Sequence, residues 1–263
     1  MAVTTAQDLL NADPRLRVET LSCVPNPQTS VWLAMHQDYA KGCVGDLSPE
    51  KWPTEGECGR RCVKYLCRGR NFHGGPYEHP QIVLSTGGFP HSVMQQARTH
   101  RSGYSFDVQS LRYTSEQFFD VRESSRAAIW HTTALKRVED VFYLRPIGFY
   151  TDRQGGAYKY TDESRYEDLT LLRDMLERYC YRVESGMPEE QARGLLPFDF
   201  RQHFVVSMNM RALMHFLDMR AKKDAQLEIQ ALCILLMREF QKWAPEVAEW
   251  YSSVRLGKGL LAP

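Results

Sequence analysis

The 263-residue chain contains no apolar run near the roughly 20 residues that a membrane-spanning helix needs. Its first residues, MAVTTAQDLLNADPR, lack the basic start and apolar middle of a secretory leader, so a cytoplasmic location is expected. A surplus of charge is missing too, with Lys plus Arg at 33 against Asp plus Glu at 32. Binding to a nucleic-acid backbone calls for a basic excess, so neither nucleic acid nor membrane is expected as a partner. No glycine-rich G-x-G-x-x-G follows a strand pattern, which argues against a Rossmann domain. Internal repeats and low-complexity tracts are also absent. The seven cysteines are an odd set without a secretory context, and free thiols are expected.

What is present suffices for a substantial core: 43% of the residues are hydrophobic. The length fits one large domain or two intimate ones, and we read residues 1–255 as a single domain with a frayed tail at 256–263. Leu16, Val18 and Thr20 alternate with Arg15, Arg17 and Glu19, the period of a half-buried strand over Arg15–Ser22. A helix is expected through Val31–Met35, after the break at Pro25-Asn26-Pro27, and a loop from Lys41 to Pro53. Thr54 and Glu57 form a capping box for a helix reaching about Arg68. Gln81–Ser85 reads as a strand ended by Gly87-Gly88, and Pro90 suits the first turn of a helix that reaches His100. Thr114–Asp162 is irregular, with a short strand expected at Val141–Leu144. A long amphipathic helix follows over Thr161–Ser185, stopped by Gly186, and Pro188 opens a short one. Phe204, Val206, Met208 and Met210 alternate like a strand, Arg211–Met219 is helical, and Asp224 is placed to cap a helix to Trp243. The sum is an α+β fold, a small partly antiparallel sheet with packed helices.

Three polar groups of residues stand out from this frame. The strip Gln95–Tyr113, QQARTHRSGYSFDVQSLRY, gathers Arg98, His100, Arg101 and Arg112 with amides and hydroxyls. Gln96, Thr99 and His100 are spaced to share a helix face, and Ser-Gly-Tyr-Ser reads as a turn. A helix end meeting a basic loop suits an anionic, hydrogen-bonding ligand such as a nucleotide, because guanidinium forks match phosphate. The second group is His73-Gly-Gly-Pro-Tyr-Glu78-His79. The third is Arg193, Asn209, Arg211, His215 and Arg220; singly, such arginines are usually solvated surface residues. On one helix Arg211 and His215 share a face, whereas Arg211 and Arg220 are turned about 180° apart. Either the helix breaks before Arg220 or neighbouring subunits complete each site.

A fourth pattern, Cys58-x3-Cys62-x4-Cys67 with His73 nearby, raises a metal-binding regulator as an alternative. Its spacing fits neither the usual zinc pairs nor the common iron–sulfur patterns. Cys58, Cys62, Val63 and Leu66 instead trace the apolar stripe of a helix, so buried thiols are expected and no metal.

Thr99-His100-Arg101 and Ser110-Leu111-Arg112-Tyr113 are separated by eight residues. This resembles the signature of the flavin-dependent thymidylate synthases, Arg-His-Arg, a seven-residue spacer and Ser-x-Arg-Tyr. The segment from His73 to His79 resembles that family's His-x-x-Pro-aromatic-Glu-His element. The order from Arg193 through Arg220 to Ile229 resembles its C-terminal half. Three positions depart: Thr99 stands for Arg, Gly75 for Thr, and His215 for Asn.

The resemblance implies an enzyme that methylates dUMP to dTMP, with methylenetetrahydrofolate as one-carbon donor and NADPH as reductant through bound FAD. It implies no cysteine nucleophile. Around dUMP it would place Gln96, Ala97, Arg98, Thr99, Gln109, Ser110, Leu111, Arg112, Arg193 and Arg220, with Arg220 polarising the uracil as the catalytic residue. Around FAD it would place His73, Gly75, Glu78, Thr99, His100, Arg101, Asn209, Arg211 and His215. It also implies a homotetramer with shared active sites. The alternative from another class is a non-catalytic nucleotide-binding module using the same basic pocket.

Overall fold

The structure, a computed structural model, describes residues 2–68, 72–126, 135–152 and 154–258. The main elements are α1 (Ala6–Ala12), β1 (Arg17–Cys23), α2 (Pro27–Tyr39), α3 (Glu55–Leu66), β2 (Gln81–Pro90), α4 (His91–Ala97) and β3 (Tyr104–Val108). They continue with α5 (Glu116–Arg126), β4 (Gly148–Thr151), β5 (Ala157–Tyr160), α6 (Asp162–Glu184) and α7 (Glu189–Ala192). The last are β6 (Arg201–Asn209), α8 (Met210–Arg220), α9 (Leu227–Trp243) and α10 (Pro245–Val254). Four strands form one sheet in the order β1-β2-β6-β3, and β4 pairs antiparallel with β5. The fold is α+β, as expected. Among the described residues no helix is long and apolar enough to cross a membrane.

The chain forms two compact units. The first comprises residues 1–17, 87–98 and 107–204. Its core joins Phe118 and Val121 of α5, Leu172, Leu176 and Tyr179 of α6, and Val138 and Phe142. Thr161 caps α6 by accepting from the Ser164 N–H at 3.2 Å, and Gly186, at φ +92°, lets the chain leave it. A buried charge cluster lies in the same unit. Arg201 donates to Asp13 at 2.5 Å and to the Gly88 carbonyl at 2.7 Å, while Arg15 donates to the other Asp13 oxygen at 2.7 Å. Burial alone would push the Asp13 carboxyl up, but Arg201 and Arg15 together outweigh it and hold it below its ordinary value.

The second unit comprises residues 18–86, 99–106 and 205–263. The capping box of Thr54 and Glu57 starts α3, whose Cys58, Cys62 and Leu66 are buried. Buried Gln28 donates to Glu246 at 2.7 Å and accepts from the Val247 N–H at 3.1 Å, joining α2 to α10. Tyr251 donates to Asp218 at 2.7 Å and Arg255 to its other oxygen at 2.6 Å, fixing α10 against α8. The Leu256 N–H bonds the Tyr251 carbonyl at 3.0 Å; residues 259–263 of the expected tail lie outside the described residues.

Several local expectations are corrected. Strand β2 runs through Gly87-Gly88 to Pro90: Gly88 takes φ +74°, and a Cβ there would collide with the Arg15 carbonyl. These glycines mark a close backbone approach, not a strand end. Helix α4 stops at Ala97, where the Arg98 N–H closes on the Met94 carbonyl at 3.0 Å, so Gln96, Thr99 and His100 share no helix face. Only Ser102 and Gly103 make the turn, and Tyr104 starts β3. Val141–Leu144 contributes a single bridge, Phe142 to Phe200, and the segment read as irregular holds α5 and the β4–β5 hairpin. Met210 is helical, because Asn209 already caps α8. Asp224 sits in a turn, with Gln226 at the cap position of α9.

Asp13→Ala would leave Arg201 buried without its carboxylate and should destabilise the protein by about 3–5 kcal/mol. Because the folded Asp13 pKa lies below its unfolded value, its contribution is present above the unfolded pKa and is lost as pH falls through the folded one. Denaturant midpoints of wild type and Asp13→Ala should therefore converge as the pH is lowered through the carboxylate range.

Candidate active site

In the first unit a pocket of about 560 Å3 opens beside α4. Gln95 and Arg98 enter it from α4, Gln109 and Ser110 from the segment after β3, and Arg193 from the turn after α7. Arg98 and Arg193 are both exposed, so two guanidinium groups are available to one anion. Arg193 Nε donates to the Glu190 carbonyl at 3.1 Å, and Arg112 pairs with the Glu190 carboxylate at 3.0 Å. His91 Nδ1 lies 2.5 Å from Gln202 Oε1, Gln202 Nε2 donates to the Gln109 carbonyl at 3.0 Å, and Gln95 contacts His91 Nε2 at 2.7 Å. A carbonyl only accepts, so the Gln202 oxygen faces His91 and Nδ1 carries the proton. Among the described residues the buried Gln109 side-chain oxygen has no hydrogen-bond partner. Ala97 and Leu111 are buried and offer only backbone, and half-buried Gln96 is not among the lining residues.

In the second unit a pocket of about 420 Å3 surrounds the start of α8. Asn209 caps this helix by accepting from the Ala212 N–H at 2.7 Å. Arg211 pairs with Glu78 at 2.5 Å, and His215 lines the pocket one turn further on. A helix start with a guanidinium, an amide and an imidazole suits a cofactor carrying phosphates and polar ring edges, so this donor set fits FAD. Gly75 opens the short turn Gly75–Glu78 that presents Glu78, while His73 is half exposed, 4.0 Å from Asp38. Arg101 is exposed and outside the lining of this pocket.

Two glycines outside the expected ligand sets are needed here. A Cβ on Gly74 would sit 2.9 Å from Arg211 Nε, and one on Gly103, at φ +80°, would sit 2.8 Å from Asn209 Nδ2. Their signal in the sequence was the Gly74-Gly75-Pro76 run and the Ser-Gly-Tyr-Ser turn. Tyr104 was also missed; its hydroxyl donates to the Ala212 carbonyl.

The far end of α8 carries Arg220. Its Nε donates to His100 Nε2 at 2.9 Å, and its terminal nitrogen donates to Thr99 Oγ1 at 2.8 Å. The hydroxyl of Thr99 thus serves Arg220 as an acceptor. The His100 ring packs 4.9 Å from Phe216 and 5.7 Å from His215. Burial, then the Arg220 and His215 charges, pushes the His100 pKa down to about 4. A neutral His100 is what the contact needs, since Nε2 has to accept from the guanidinium. Helix α8 is unbroken, so Arg211 and Arg220 lie on opposite faces, each with partners of its own.

The cysteine cluster is packed as an apolar stripe. Cys58 and Cys62 are buried in α3, and Cys67 Sγ lies 3.1 Å from the Tyr77 hydroxyl. Burial pushes the Cys62 thiol up strongly and the Cys67 thiol up to about 11. Among the described residues no group of three or more His, Cys, Asp or Glu side chains is placed to hold a metal ion.

Arg220→Gln removes the second-largest cause of the low His100 pKa, so His100 should titrate above about 4 in that variant. As the folded pKa lies below the unfolded one, His100 opposes folding increasingly as pH falls from the ordinary histidine range toward about 4. NMR titration of the imidazole checks this, and an unchanged midpoint in the variant would contradict the Arg220 contact.

The family model described as thymidylate synthase complementing protein matches residues 19–246. Flavin-dependent thymidylate synthase of Halobacterium salinarum is 30% identical over 260 residues, covering 94% of this chain and 100% of that protein. The Haloarcula marismortui protein of the same name is 31% identical over 255 residues, covering 94% and 99%. Two solved structures share the fold. One is the UMP/dUMP methylase PolB from Streptomyces cacaoi, with TM-score 0.66, 20% identity and coverage of 94% and 97%. The other is thymidylate synthase X from Helicobacter pylori with FAD and dUMP, with TM-score 0.65, 18% identity and coverage of 90% and 99%. With the model spanning most of its length and relatives matched nearly end to end, this chain belongs to the flavin-dependent thymidylate synthase family.

Proposed function

We propose that the protein converts dUMP to dTMP in the cytoplasm, with methylenetetrahydrofolate as the one-carbon donor and NADPH as the reductant. The observation that carries this reading is the seating of Arg220 on Thr99 and His100, which joins the two signature blocks in one unit. Bound FAD supplies the reducing electrons for the methylated product. Its binding residues are His73, Gly75, Glu78, Thr99, His100, Arg101, Asn209, Arg211 and His215. Arg98, Gln109, Ser110 and Arg193 line one pocket and bind dUMP there, with Arg193 on the phosphate. Gln96, Ala97, Leu111 and Arg112 are further dUMP residues, as are Thr99 and Arg220.

Arg220 acts on the pyrimidine. Its guanidinium faces a uracil carbonyl oxygen and stabilises the negative charge that develops as C5 becomes nucleophilic. Neutral His100 and Thr99 hold that guanidinium in place without competing for its charge. No cysteine is needed as nucleophile. Cys58, Cys62, Cys180 and Cys233 are buried with thiols pushed up by burial, and no cysteine lines either pocket. Because Arg211 and Arg220 face opposite ways, neighbouring copies in a homotetramer complete each active site.

The direct test is dTMP formation from dUMP by FAD-loaded protein with methylenetetrahydrofolate and NADPH, with UMP as the comparison substrate. A colourless protein that takes up no FAD and forms no dTMP would contradict the reading and favour a binding module. Arg220→Lys keeps the charge but loses the planar fork, so single-turnover dTMP formation should fall about 100-fold or more while FAD is retained. Near wild-type turnover in that variant would remove Arg220 from the chemistry. Arg193→Ala should weaken dUMP binding by roughly 1.5–3 kcal/mol, the range for a hydrogen bond to a charged group. Calorimetric titration with dUMP reads this, and unchanged affinity takes Arg193 out of the phosphate site.

A further inference from the structure

A third concavity, of about 810 Å3, lies in the second unit between α2 and α3. From α2 come Trp32, His36 and Tyr39, spaced to share one helix face. The Trp32 and His36 rings are stacked, 4.9 Å between centroids and 19° between planes, and Tyr39 is 80% exposed. From α3 come Arg60, Arg61 and Lys64. Arg60 has Glu246 at 3.5 Å, whereas among the described residues no carboxylate lies within ion-pair distance of Arg61 or Lys64. Among the described residues the one acid lining the groove, Glu57, is committed to the Thr54 capping box, with both Thr54 donors at 2.9 Å, and those bonds hold it below its ordinary pKa.

Like charges three and four residues apart repel on a helix, so this face of α3 is stabilised when an anion lies across it. The exposed Tyr39 ring and the half-buried His36 imidazole offer stacking surface for a planar group, and neither is required by the α2–α3 core, which Val31, Met35, Cys58 and Cys62 already fill. The groove's Tyr39 end adjoins the FAD-pocket segment. Asp38 lies 4.0 Å from His73, and the next residue, Gly74, packs against Arg211.

We propose that this groove binds the charged, ring-bearing end of a co-substrate whose reactive end reaches the Arg211 pocket. The chemistry it fits is a planar ring carrying two or more negative charges. Two co-substrates of the reaction proposed above have such an end, the adenosine phosphate half of NADPH and the aminobenzoyl-polyglutamate tail of the folate. The inference rests on that functional reading, but its test does not depend on turnover.

FAD-loaded protein is titrated with two unreactive probes, NADP+ and triglutamyl 5-formyltetrahydrofolate. The variants are Arg61→Gln with Lys64→Gln, which removes charge, and Tyr39→Ser, which removes a ring without changing charge. Both should weaken one probe by about fivefold or more, the range for two exposed charge contacts in the first variant and for one aromatic stack in the second, while dUMP affinity and FAD content stay within twofold. The probe that loses affinity identifies the source. If either variant leaves both probes within twofold of wild type, the groove is not a co-substrate site. Whether the wild type forms dTMP decides the functional reading separately, so the two ideas fail on different measurements.

Discussion

The helical repeat of α8 is the constraint on which the second unit's chemistry depends. Eleven residues run without a break from Met210 to Arg220, so Arg211 and Arg220 point about 180° apart. Each end is then satisfied differently. At the start, the Asn209 cap and the Glu78 pair fix a polar, anion-ready opening; at the end, Arg220 settles on His100 and Thr99.

Protonation and position are coupled at the Arg220 end. A charged imidazole could not accept from the guanidinium, and burial together with that guanidinium keeps His100 neutral. Threonine at position 99 fits this arrangement because its hydroxyl adds a second acceptor to the same arginine. The departure from the family's Arg-His-Arg pattern thus has a physical role in this chain: it supplies acceptor capacity where a third cation would otherwise stand.

In the first unit, charge acts on the fold. Asp13 and Arg201 are both buried, and their attraction is supported by Arg15 and by the Gly88 carbonyl. The tight passage of Gly88 past Arg15 brings that carbonyl into reach. Desolvation makes such a pair costly to break and gives it a single arrangement, which holds β6 beside the α1 end. The pocket of Arg98 and Arg193 is built on the same unit, and its glutamines and His91 are ordered by a chain of defined donors and acceptors.

Periodic segments were legible from the sequence because their signals are local. The capping box of α3, the long helix closed by Gly186, the alternation of β6 and the α+β class all follow from spacing and capping chemistry. The shared face of Arg211 and His215 was equally legible, since a fixed helical period determines it. What sequence could not decide were the places where a distant group outweighs local preference. His100 has helical spacing from Gln96, yet α4 ends at Ala97 and His100 meets Arg220, 120 residues later. The Gly87-Gly88 pair reads as a stop, yet the Arg15 carbonyl makes it a crossing point within a longer strand. Gly74 and Gly103 gained their roles only once Arg211 and Asn209 were packed against them. Spacing along the chain determines which side chains share an element; which of them meet across it depends on burial and long-range pairing, and these arise only in the tertiary structure.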